Sequence, residues 1–247
     1  MALKKFLMAG IVAAVLVACG DDDSDFATHP DGDSGRFTDE RDDQRYRTVK
    51  IGNQVWMAEN LNYAYTGVPF NKDDNTSDST SWCYDNDPAN CTKYGRLYTW
   101  AAAMDSVGEW STNGKGCGYK AECWPTYPVR GICPEGWHLP SDQEFVTLIE
   151  AVGTTSTAGK VLKSTSGWYN NSNGSDAYSF SALPAGEWYS DWDFVNDGIY
   201  AYFWSSSELS GYDYSACRMF LSYRGDEASR DVVGKDYGLS VRCVKDE

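Results

Sequence analysis

The stretch YRTVKIGNQVWM, residues 46–57, reads as a β-hairpin. Val49, Ile51, Val55 and Met57 alternate along two short runs, and Gly52-Asn53 between them tolerates the positive φ of a two-residue turn. Further along lies SDQEFVTLIEAVG, residues 141–153. Ser141 with Glu144 three residues on forms a capping box, and Phe145, Leu148, Ile149 and Val152 recur at helical spacing until Gly153 closes the helix. Weaker helical patterns cover Leu97–Met104 and Thr157–Lys163. The last third predicts strands at Ala201–Ser205, Cys217–Tyr223 and Leu239–Val244, with Leu239, Val241 and Cys243 on one face. Strands at both ends and helices between predict an α+β fold whose terminal strands pair.

The chain begins differently. Lys4 and Lys5 precede an apolar run from Phe6 to Ala18, about a dozen residues and too short for a stable membrane anchor. The run ends in Leu16-Val17-Ala18-Cys19, which resembles a bacterial lipobox. This predicts a signal peptide over 1–18 and lipid on Cys19, so that the chain is anchored to a membrane rather than spanning it. Asp21, Asp22, Asp23 and Asp25 follow, resembling the acidic signals that send lipoproteins to the outer face of the outer membrane. Residues 19–45 are poor in apolar side chains apart from Phe26 and Phe37, and predict an acidic flexible tether; residues 46–247 predict one globular domain without internal repeats.

The sequence holds 21 Lys+Arg against 36 Asp+Glu, a net charge of −15, and loss of Lys4 and Lys5 with the signal peptide makes it −17. Such a balance argues against nucleic acid as a partner. Of the 8 cysteines, Cys19 is set aside for lipid. In an oxidising compartment the rest are expected as Cys83–Cys91 and Cys117–Cys123, two local staples, and Cys133–Cys243, a long-range tie, leaving Cys217 free. Zinc is a poor alternative, since no paired CxxC spacing exists and His29 and His138 are the only histidines.

Six ordered blocks carry a resemblance: TVKIGNQVWMAENLNY (48–63), SWCYDNDPANCTKYGRLYTWAAAM (81–104), CPEGWHLPSDQEF (133–145), FSALPAGEW (180–188), AYFWSSSE (201–208) and YGLSVRCVKD (237–246). Together they resemble the Fibrobacter succinogenes major paralogous domain, FISUMP. The resemblance implies an exported, often lipid-anchored domain. WHLPS before a helix, then FWSSSE and a terminal VRC, also resembles the C-type-lectin-like fold and its formylglycine-generating-enzyme relatives, a likeness of fold that does not fix function. Cys117 and Cys123 fall outside the blocks and read as an insertion.

No catalytic group is predicted. His138 reads as structural, and Ser205, Ser206 and Ser207 lack the elbow of a hydrolase nucleophile. Aromatic density points instead to binding, in a chain with 10 Trp and 17 Tyr. Trp168, Tyr169, Trp188, Tyr189 and Trp192 crowd one segment beside Asn196 and Asp197, with Tyr200 and Tyr202 following. Rings on loops stack on sugar faces, and neighbouring amides and carboxylates supply hydrogen bonds. The expectation is a non-catalytic, surface-displayed binding or adhesion module for glycans without a cofactor, calcium at Asp193, Asn196 and Asp197 being a weaker reading. A structural cell-envelope protein that binds another protein, and an enzyme of unknown class, remain the alternatives.

Overall fold

Alternation and the Gly52-Asn53 turn produce the hairpin as expected. The computed structural model describes residues 34–247 apart from 73, 74, 80, 190–192, 209, 210 and 212. The predicted signal peptide, Cys19 and the start of the predicted tether lie outside the described residues. The chain forms β1 (Ser34–Asp39), β2 (Gln44–Ile51) and β3 (Gln54–Met57), then β4 (Thr66–Lys72), β5 (Asn75–Ser79) and β6 (Ser81–Trp82). Helix α1 (Pro88–Tyr94), β7 (Leu97–Tyr98), α2 (Trp100–Ala103) and β8 (Trp137–His138) lead to α3 (Asp142–Val152) and α4 (Ala158–Leu162). Strands close the chain: β9 (Ala185–Tyr189), β10 (Asp193–Asp197), β11 (Tyr200–Glu208), β12 (Ser215–Ser222), β13 (Ala228–Gly234), β14 (Leu239–Ser240) and β15 (Val244–Lys245). The fold is α+β, mostly strand with few short helices.

Two sheets organise it. One runs β1-β2-β3-β15-β8. The other runs β10-β9-β11-β14-β7-β6, with β12 and β13 added beside β11. Helix α3 carries the capping box at Ser141 and Glu144, and it buries Phe145, Leu148, Ile149 and Val152 against Val49, Ile51, Trp56, Phe203 and Leu221. On the other side Tyr98, Trp100, Trp204, Val241 and Cys243 form a second core.

The ends pair as expected: Val244 stands opposite Trp56 on β3 and His138 on β8. The predicted single strand over Leu239–Val244 is divided, however. Leu239–Ser240 belongs to the larger sheet and Val244–Lys245 to the smaller, so Val241, Arg242 and Cys243 cross between them. The helix predicted over Leu97–Met104 likewise begins as a strand, because Leu97 and Tyr98 are taken into the larger sheet between β14 and β6. Thr99 caps the short helix that remains.

The tether predicted over 19–45 needs correction at its distal end. Residues Ser34 to Asp39 pair antiparallel with Val49 to Gln44. Phe37 stacks on Trp137 at 4.5 Å, and buried Asp39 accepts from Arg41 at 2.7 and 2.8 Å. A strand that borrows its ladder from a neighbour needs little apolar content of its own, which is why composition read it as a linker.

All three expected disulfides are present, Cys83–Cys91, Cys117–Cys123 and Cys133–Cys243. Cys217 is free and half-buried, and burial pushes its thiol up to about 11, away from reactivity.

His138 joins the start of α3 to the last strand. Its Nδ1 lies 2.6 Å from Asp246 and its Nε2 2.7 Å from Glu144. Burial opposes a charge on the ring, but the bonds and charges of Glu144 and Asp246 outweigh it and raise the pKa above the ordinary 6.5. Burial likewise opposes ionised Glu144, but hydrogen bonds from His138 and Ser141 outweigh it and hold the pKa below the ordinary 4.5. The raised histidine stabilises the fold fully below 6.5, and that contribution is lost as pH climbs through its folded value. The lowered glutamate contributes above 4.5 and is lost as pH falls through its folded value. Urea unfolding of wild type and His138→Gln should therefore differ most between pH 4.5 and 6.5 and converge at alkaline pH. A difference that grows with rising pH would contradict this pairing.

Candidate functional site

Burial disperses the aromatic cluster predicted over 168–202. Trp188 is on β9, buried, and stacked on Trp82 at 4.5 Å and 17°. Trp168 is buried too, its Nε1 donating to Ser164 Oγ at 3.1 Å beneath the Lys163 ammonium. Tyr202 is buried on β11 with the Arg218 guanidinium 4.2 Å from its ring. These three rings are core, so neither Trp168 nor Trp188 is offered to a ligand. Tyr169 and Tyr189 are exposed, but each stands edge-on to one tyrosine, Tyr223 and Tyr237, on separate parts of the surface. Trp192 lies outside the described residues.

Asn196 and Asp197 serve the turn after β10. Asn196 has φ 70°, and its side-chain amide donates to Glu187 Oε1 at 2.8 Å. Glu187 in turn pairs with Arg218 at 3.2 Å. Asp193 accepts the N–H of Phe194 at 2.9 Å, and Asp197 accepts from the Tyr94 hydroxyl. Among the described residues no group of three or more His, Cys, Asp or Glu is placed to hold a metal ion.

The structure draws attention to another place. Trp124, which the sequence reading passed over, is 84% exposed, far more than any other large apolar side chain described. Tyr127 at 54% and Tyr214 at 49% are exposed nearby. Trp124 and Tyr127 line a surface cleft of about 450 Å³ together with Pro125, Glu122, Glu208 and Asp213. Tyr214, next to Asp213, stands edge-on to Tyr119 at 5.5 Å.

An indole this exposed costs free energy in water, so its setting matters. The loop that carries it is held at several points. The Cys117–Cys123 disulfide closes its base, and Gly118 bridges Ala121 across the turn. The Lys235 ammonium, wholly buried and 4.5 Å from the Trp100 ring, donates to Ala121 O at 3.1 Å and to Glu208 Oε2 at 2.6 Å. Glu208 Oε1 accepts the N–H of Cys123 at 3.3 Å. On the far side Asn113 and Thr126 are linked by two hydrogen bonds. Upstream, buried Asp105 gathers the N–H groups of Glu109, Trp110 and Ser111 and the hydroxyl of Tyr65. A fixed loop loses little entropy when a ligand lands on it, so the ring is presented ready for stacking.

The signal for this site was local. Trp124 directly follows a stapled cysteine and sits just before Pro125 and Pro128, in a stretch with neither strand nor helix periodicity. A ring in such a setting has no regular element to turn it inward.

A family model described as the Fibrobacter succinogenes major domain matches residues 49–245, about four-fifths of the chain. Neither the curated proteins nor the solved structures contain a match.

Proposed function

The chain belongs to the Fibrobacter succinogenes major domain family, and from that premise we propose that it is a lipid-anchored module of the outer cell surface that binds glycans without catalysis. The observation that carries this reading is the exposed Trp124 on its clamped loop, with Tyr127 and free carboxylates beside it. An indole face matches the apolar face of a pyranose ring, and carboxylates accept hydrogen bonds from its hydroxyls. The chemistry elsewhere supports binding rather than turnover. Both ring nitrogens of His138 are engaged by carboxylates. On β11 Ser205 Oγ accepts the N–H of Ser207, and Ser207 Oγ accepts the N–H of Asp142 at the start of α3. Lipid on Cys19 would display many copies at once, and avidity then compensates for a single weak site, of roughly micromolar to millimolar affinity.

The test is retention of polysaccharides by liposomes carrying the full lipidated chain. Trp124→Ala should weaken retention by about tenfold or more, as loss of a central aromatic contact does, while the circular dichroism spectrum and thermal midpoint stay unchanged. Undiminished retention by Trp124→Ala would remove this site. Failure of the wild type to retain any polysaccharide would leave a protein partner as the better reading.

A further inference from the structure

Resting on the glycan reading above, we infer that the Trp124 cleft selects glycans bearing protonated amines, such as glucosamine polymers, over neutral and anionic ones. The indole is the feature that points to a ligand, and the charges around it decide which. Every charged side chain lining the cleft is acidic: Glu122, Glu208 and Asp213. Glu208 is engaged from behind by Lys235 and the Cys123 N–H. The carboxylates of Glu122 and Asp213 have no hydrogen bond or ion pair to any described residue, which leaves both for a ligand. Among the described residues that line the cleft there is no Lys or Arg. Lys235 is wholly buried, and the Lys120 ammonium lies 5.3 Å from the Tyr119 ring rather than in the lining.

An ammonium over or beside an indole is attracted by the ring quadrupole, and two nearby carboxylates add to that attraction. A neutral sugar draws only on stacking and hydrogen bonds. A uronic acid or sulfated sugar meets Glu122 and Asp213 as like charges, in a chain already at −15. The expected order of affinity is amine-bearing, then neutral, then anionic.

The experiment uses the full chain on uncharged liposomes and four probes: a glucosamine hexamer, its N-acetylated counterpart, a glucose hexamer and a galacturonate hexamer, with oligolysine as a cation that is not a glycan. At mildly acidic pH the glucosamine hexamer should bind about tenfold tighter than the N-acetylated and glucose hexamers, and the advantage should shrink in roughly molar salt, where charges are screened within a few ångströms. The double substitution Glu122→Gln with Asp213→Asn should erase the advantage, bringing the glucosamine hexamer to the affinity of the glucose hexamer measured on the same variant, and Trp124→Ala should lower every glycan. Equal binding of the amine-bearing and neutral hexamers would overturn the amine selectivity and leave the glycan reading standing. Retention of oligolysine with no glycan, or of nothing at all, would overturn both.

Discussion

Replacing Arg242 by alanine is expected to destabilise the domain by about 3–5 kcal/mol, the cost of removing one member of a buried charged network together with its volume. The side chain is fully buried, yet no carboxylate accepts from it. Its Nε and Nη2 both donate to Asn60 Oδ1, at 3.1 and 2.6 Å, and Nη1 donates to the Phe180 carbonyl. Its guanidinium lies 4.3 Å from the Phe180 ring and 5.1 Å from that of Phe203. Burial pulls its pKa below the ordinary arginine range, the mark of a cation held by dipoles and ring faces in place of an opposite charge. Alanine leaves those acceptors unsatisfied and a cavity between the sheets. Arg242→Met fills most of that cavity and should cost less, about 1–3 kcal/mol for the orphaned acceptors. Urea unfolding with an unchanged slope measures both. A loss below about 1 kcal/mol for the alanine variant would show that the guanidinium does not hold the sheets together.

Removing the Cys133–Cys243 disulfide by paired alanine substitution should cost roughly 4–5 kcal/mol, because it closes a loop of 110 residues. The same substitution at Cys83–Cys91, separation 8, or Cys117–Cys123, separation 6, should cost only about 2–3 kcal/mol in the same chain-entropy account. The comparison matters more than any single value, since all three pairs lie in one protein under one set of conditions. Thermal unfolding of the three double variants gives the ranking. A short staple costing as much as the long tie would mean that native packing around the sulfurs, rather than loop closure, sets the effect.

The elements legible in the sequence were those decided locally. The 46–57 hairpin follows from alternation and its turn, and α3 follows from a capping box and a four-residue apolar face. The two local disulfides followed from spacing, because short loops leave few partners. What the sequence concealed was decided at long range. Strand β1 carries Phe37 as its one large apolar residue and takes its ladder from β2. The last strand divides because its residues are claimed by two sheets. The buried place of two of the predicted ligand-binding rings was hidden for a related reason. Rings are dense over 168–202, but β9 and β11 are covered on both faces, so Trp188 and Tyr202 are buried. Trp124 stood in a loop read only for its cysteines.

The crossing residues Val241, Arg242 and Cys243 have a consequence for the order of events during synthesis. Arg242 reaches Asn60 across 182 positions, and the next residues complete the smaller sheet beside Trp56. Until this segment has emerged, the larger sheet lacks the strand between β11 and β7 and the smaller sheet lacks the strand between β3 and β8, however well each hairpin has formed. Closure is therefore a late step that depends on the most distant contacts in the chain, and such topologies fold slowly. A nascent chain halted before Leu239 would expose strand edges and two half-built cores, the form most prone to aggregation and proteolysis. The short segment that knits the sheets also acts as the checkpoint between a chain that is still being made and a domain that is finished.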